Sequence, residues 1–194
     1  PYASALKDVA DWYAQLWAES LGKKVDKKGR VVHVGPTPVK ALGATDQHSQ
    51  LQLYAEGPND KVITFVSLGR HKEDLKIPAP FKGSDVSYLY GHTIGELLNV
   101  ELRSTELALR KSARPSCKIS IPEIRPYYLG ALIYFYEMQT AYAGELFNIN
   151  AFDQPGVEEG KRFAYGVMGR KGFEEKKKEF EAAQAGEKQY IVHV

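Results

Sequence analysis

A continuous apolar run of strand length, "VITFVSL" (62–68), and a second strand candidate, "CKISI" (117–121), stand on either side of a long amphipathic stretch, 91–112. This pattern constrains the fold more than any other feature of the chain. A run of strand length that is apolar throughout, rather than alternating, is what a strand covered on both faces requires. Strands alternating with helices indicate an α/β fold with a mainly parallel sheet. A further short strand is expected at "VVHV" (31–34), and "YIVHV" (190–194) reads as a final strand or an extended tail.

The intervening segments read as helices. Residues 3–20 carry an apolar stripe of Leu6, Val9, Tyr13, Leu16 and Trp17, with Asp8, Asp11, Gln15 and Glu19 on the other side. "DQHSQLQLYAEG" (46–57) is a helix closed by Gly57. The 91–112 helix presents Ile94, Leu97, Leu98, Leu102, Leu107 and Leu109. An apolar helix spans 126–147, and two more follow near 155–168 and 173–185, the last carrying (i, i+4) pairs of the Glu174–Lys178 type on a solvated face. "GKKVDKKGR" (22–30) is polar and turn-rich. No internal repeat, low-complexity tract or domain boundary interrupts this order.

Several function classes are excluded. The most membrane-like run, "YYLGALIYFY" (127–136), is stopped by Glu137 after ten residues, well short of the roughly 20 a spanning helix needs. It is expected to be a buried helix, with no membrane partner. A formal charge of +2 is too near neutral to point to nucleic acid, and "KKVDKKGR", without interleaved aromatics, is a soluble loop. A lone cysteine, Cys117, forms no internal disulfide, which fits a reducing, cytoplasmic setting. The chain enters helix-like sequence directly from Pro1, without signal or targeting pattern, so a preceding segment is expected.

The five histidines (His33, His48, His71, His92 and His193) are scattered, with no HExxH and no cysteine pair, so neither metal nor cofactor is expected. "GHTIG" (91–95) lacks the lysine and the spacing of a phosphate cradle. No serine or cysteine nucleophile stands between glycines. Acid–base chemistry or plain binding is left.

Three places carry residues suited to it. Glu19 follows Gln15 by one helical turn, so both project from one face: a solvated polar surface, or a base if the helix end meets a cleft. His48 falls in the first turn of its helix, behind Thr45 and Asp46 as caps, where the partial positive charge favours a neutral ring; otherwise it is a surface histidine. In "AFDQPGVEEGK" (151–161), Pro155 is pre-set for a first helical turn, Asp153 or Gln154 can cap it, and Gln154, Glu158 and Lys161 share a face. That is a capped helix with an exposed ion pair, or a binding turn aimed by Phe152 anchored in the core.

Three segments, taken in order, decide between these readings. "GELFNINAFDQPGVEEGK" (144–161) resembles the C-terminal signature of the glucose-6-phosphate isomerase family. "QLWAESLGK" (15–23) is similar to its Q-x-x-x-E-S-x-G-K segment, and "TDQHS" (45–49) to its short D-Q-H or D-L-H segment. The resemblance covers essentially the whole chain. It implies a three-layer αβα, SIS-domain-like fold with extra C-terminal helices, residues 1–194 being the C-terminal portion of a longer, metal-free, homodimeric enzyme. Glu19 then matches the base that carries a proton between C1 and C2 of a sugar phosphate through a cis-enediol. His48 matches the ring-opening histidine that serves the neighbouring subunit's site. Lys161 matches the lysine near the reacting oxygens, and Gln15 and Gln154 match substrate-lining glutamines. The Ser/Thr-rich phosphate loop and the arginine expected of the upstream half are not found in 1–194. The alternative class is a non-catalytic SIS module that binds a sugar phosphate and regulates a partner.

Overall fold

The computed structural model describes residues 1–80, 83 and 85–186; the stretch expected as a strand or tail at 190–194 lies outside them. In chain order the elements are a 3₁₀ turn Ser4–Leu6, α1 Lys7–Leu21, β1 Lys23–Val25, β2 Val31–Val34, α2 Gln47–Glu56, β3 Ile63–Leu68, a 3₁₀ turn Ser87–Leu89, α3 Ile94–Lys111, β4 Ser116–Ile121, α4 Pro126–Leu146, α5 Pro155–Val167 and α6 Glu174–Gly186.

β3 and β4 pair in parallel, in unbroken register from Ile63 opposite Ser116 to Leu68 opposite Ile121. Both faces of β3 are covered, as its apolar run requires, whereas β4 leaves Cys117, Lys118 and Ser120 exposed. Along β3, Ile63 and Phe65 point toward α2 and α3, where they pack with Leu51, Leu102 and Leu109. Val66 and Leu68 belong to the opposite layer and join Ile119, Ile121, Leu132 and Tyr136 beneath α1 and α4. The result is helices, strands, helices: the three-layer α/β arrangement. Leu102 and Leu109 are each 1% exposed, and full burial of such a side chain stabilises by about 1.5–3 kcal/mol. Ile94 and Leu107, expected on the same apolar face of α3, instead lie exposed, because the buried row runs Gly95, Leu102, Thr105, Leu109.

α4 buries one row at near-helical spacing, Leu132, Tyr136, Thr140 and Gly144. Tyr136 stacks on Tyr13 of α1 with ring centroids 4.1 Å apart, and the Tyr13 hydroxyl donates to Gln139 Oε1 at 3.1 Å. Burial is the main cause pushing the Tyr136 phenol up to about 12. The opposite side of α4 leaves Tyr127, Tyr134, Tyr142 and Leu146 exposed. Among the described residues no helix is long and apolar enough to cross a membrane.

The strand at 31–34 is present but does not join the parallel pair. It forms an antiparallel hairpin with β1, itself hidden in a segment that reads as turn. Chain length sets the antiparallel sense of the hairpin: a parallel crossover needs a dozen or more residues, and only the 26–30 turn separates these strands. Asp26 closes that turn. Its buried carboxylate accepts from the Lys28 and Arg30 amides at 2.9 Å and from Arg30 Nε at 2.7 Å. Burial opposes its ionisation, but those bonds outweigh it and hold the carboxyl below its usual range.

Candidate active site

The C-terminal end of α1 rests on its own small core. Leu21, Ile149 and Ala151 are buried together, with Trp17, Val34, Ala143 and Phe147 packed around them. The chain reaches this core by a sharp reversal after α4. Asn148, at φ 57°, takes the left-handed conformation that asparagine tolerates. The Asn148 amide donates to Glu145 O and the Ile149 amide to Gly144 O, both at 2.9 Å, which satisfies the last carbonyls of α4. Gly144 is required there: a Cβ on it would come within 2.7 Å of the Ala151 methyl. The loop carrying Phe152, Asp153 and Gln154 is thereby pressed against the helix that carries Gln15 and Glu19.

One buried cation joins the two. Lys23, the first residue of β1, has a side chain 5% exposed. Its ammonium donates to Glu19 O at 2.9 Å, Ser20 O at 2.8 Å and Asp153 O at 2.7 Å, and lies 3.6 Å from Asp153 Oδ1. Nearby, Gln15 Nε2 donates to Glu19 Oε1 at 3.0 Å on the exposed face of α1. Gln15 and Glu19 are thus brought together, and Glu19 is exposed rather than partly buried.

Gln154 occupies the N-cap position of α5 with Pro155 behind it, but its side chain makes no capping bond. Asp153 does not cap α5 by its side chain either; it accepts from Asn150 Nδ2 at 2.8 Å and faces Lys23. Phe152 is 85% exposed, contrary to the expected anchor. Ile149 and Ala151 already fill the available core, and Phe152 is turned outward, its amide donating to Asn150 Oδ1 at 3.1 Å. Lys161 Nζ donates to Glu158 Oε1 at 2.8 Å on the open face of α5. That bond holds Lys161 above, and Glu158 below, its ordinary value.

His48 lies in the first turn of α2, exposed. The expected cap is absent: Asp46 turns back to accept from the Leu42 amide at 2.6 Å and does not bond the first-turn amides. Neighbouring Gln47 points inward, with Nε2 2.6 Å from the Tyr2 hydroxyl. Among the described residues no three His, Cys, Asp or Glu side chains gather to hold a metal ion. Sequence reasoning assigned no role to Lys23. The signal was present in a lysine directly after the glycine that ends a helix, where a cation complements the last carbonyls.

The sequence model of the phosphoglucose isomerase family matches residues 1–187. The chain belongs to that family. It is 52% identical over 180 residues to a glucose-6-phosphate isomerase of Carboxydothermus hydrogenoformans, covering 92% of this chain and 39% of that protein. Identity to the glucose-6-phosphate isomerase of Rubrobacter xylanophilus is 51%, covering 89% and 38% of the two chains. Among solved structures, a hypothetical protein from Thermus thermophilus superposes with a TM-score of 0.80 at 42% identity, over 87% of this chain and 40% of the other. A glucose-6-phosphate isomerase from Chlamydia trachomatis shares the fold, with a TM-score of 0.75 at 24% identity over 95% and 37%. The chain therefore spans well under half the length of these relatives.

Proposed function

We propose that residues 1–194 are the C-terminal, SIS-type portion of a longer glucose-6-phosphate isomerase that interconverts glucose 6-phosphate and fructose 6-phosphate. In this reading the Glu19 carboxylate takes the proton from C2 of the open-chain aldose. The C–H electron pair becomes the C1–C2 double bond of the cis-enediol as the carbonyl oxygen gains a proton. Glu19 returns its proton to C1 as the C2 hydroxyl loses its own and becomes the ketose carbonyl. His48 and Lys161 assist the preceding ring opening, and Gln15 and Gln154 line the sugar. No cofactor takes part, and the setting is the cytoplasm.

The observation that carries this reading is the convergence of the Q-x-x-x-E-S-x-G-K and FDQPG segments at Lys23, which sets Glu19 and Gln154 on the two sides of one joint. The chemistry calls for a carboxylate within reach of two adjacent carbons and a cation or donor near the developing enediolate charge. The exposed aromatic stripe of α4 supports further protein packing on this portion, and a homodimer in which His48 serves the neighbouring subunit's site fits its outward position.

The test is fructose 6-phosphate isomerisation by the full-length parent, with and without Glu19→Gln. Loss of most turnover with sugar-phosphate binding intact is the expected result. A parent that binds the sugar phosphate and never isomerises it would instead be the regulatory module.

A further inference from the structure

Lys23 is a charged side chain placed where charge is costly. Burying an ammonium is unfavourable unless it is fully hydrogen-bonded, and an apolar residue of the same length often does as well for stability. An ammonium has three N–H groups, and all three are accounted for here, on carbonyls at 2.7 to 2.9 Å. Two of those carbonyls, Glu19 O and Ser20 O, belong to the last turn of α1, which a helix end leaves without partners. The third, Asp153 O, lies 130 residues away in sequence and directly precedes Gln154. Charge-assisted bonds of this kind are short and directional. The joint is made through backbone atoms, so it fixes where the chain at residue 19 stands relative to the chain at residues 153 and 154.

We propose that Lys23 is a positioning residue for the isomerase chemistry: it locks the helix end that carries Glu19 to the turn that carries Gln154. It touches neither substrate nor reacting atoms, and it acts through the placement of these two. The inference rests on the function proposed above and adds to it a residue with a separate role. A proton carrier that must serve two neighbouring carbons tolerates little displacement, since a shift of about 1 Å can cost about 100-fold in rate. Placement of this precision comes from a rigid supporting shell rather than from the base itself.

The experiment compares wild type, Glu19→Gln, Lys23→Met and Lys23→Arg in the full-length parent. It measures kcat, KM and melting temperature, together with the fate of deuterium at C2 of glucose 6-phosphate, followed by NMR. Deuterium carried to C1 reports a base held over both carbons, and deuterium lost to solvent reports one that is not. Lys23→Met is expected to lower kcat by about 30- to 100-fold with KM changed less than about 3-fold, and to raise the share of label lost. Lys23→Arg keeps the cation, but its flat fork does not reproduce three diverging bonds, so it should fall between Lys23→Met and wild type.

A folded Lys23→Met with kcat and label transfer within about 2-fold of wild type overturns the proposal, even if its melting temperature drops, because a purely structural lysine behaves that way. Should Lys23→Met fail to fold, Lys23→Arg decides alone: reduced label transfer supports the role, and unchanged transfer at unchanged kcat overturns it. The two readings fail separately. Wild type without isomerase activity refutes the proposed function, whereas active wild type with dead Glu19→Gln and normal Lys23 variants refutes only the positioning role.

Discussion

The two sides of the proposed site are held in different ways. The end of α1 is embedded: Leu21 and Ile149 are 0% and 1% exposed beneath it, and Lys23 ties its last turn to the facing loop. α5, which carries Lys161, packs chiefly on α6. Phe163 faces Phe180 at 6.3 Å, Tyr165 meets Phe173 edge-on at 5.3 Å, and Arg170 lies 4.4 Å over the Tyr165 ring. Lys176 reaches across to Glu159 at 2.5 Å and lies over Phe163. The contrast teaches a division of labour. The proposed base stands on the core of the fold, and the proposed cation stands on a helical hairpin stabilised mostly by itself.

The largest effect should come from the embedded side. Glu19→Gln in the parent is expected to reduce kcat by about 10³-fold, in the range that a positioned acid–base group supplies, with an unchanged thermal melt. Ile149→Ala comes next, since it empties the small core under the joint. A loss of about 2–5 kcal/mol is expected in urea unfolding, against a change within about 0.5 kcal/mol for the exposed Phe152→Ala. Equal losses from both would dissolve the distinction between an anchored and an outward residue in that loop.

A pH titration sharpens the comparison from the core side. The Tyr136 phenol is raised to about 12 by burial, whereas an unfolded tyrosine ionises near 10. The unfolded chain then releases its proton first, so stability is fully present below about pH 10 and falls as pH climbs through about 12. Tyr136→Phe should flatten that alkaline decline, read as chemical-denaturation midpoints between pH 9 and pH 12. The smallest expected effect is on the arm: Lys161→Met breaks only an exposed pair with Glu158, so the melting temperature should stay within about 1 °C. A marked drop would show that the hairpin depends on that pair.

Much of the frame was legible from local pattern. The two expected strands became the parallel pair within a residue of their expected ends, and the long helices fell where periodicity and, for α5, Pro155 put them. What escaped was set by tertiary contact. β1 is concealed because Lys23 points inward, a placement no alternation rule anticipates for lysine. Phe152 faces outward because Ile149 and Ala151 took the interior first. Asp46 gave its oxygens to the Leu42 amide and the Ser49 hydroxyl instead of the helix start. Glu174, expected to pair along its helix, accepts from the Gly172 amide. Within the site, the Gln15–Glu19 pair follows from helical spacing alone, whereas the Lys23 bridge depends on a residue far away in sequence.

The reversal at Asn148 and Ile149 has a mechanical consequence. α5 leaves that anchored corner as a lever with Gln154 at the pivot, and Lys161 stands about 10 Å along it, at 1.5 Å of rise per residue. Tilting the lever by about 10° would leave the pivot almost still while sweeping the lysine through about 2 Å. One helix can therefore present a glutamine that hardly moves and a cation whose place is set by angle.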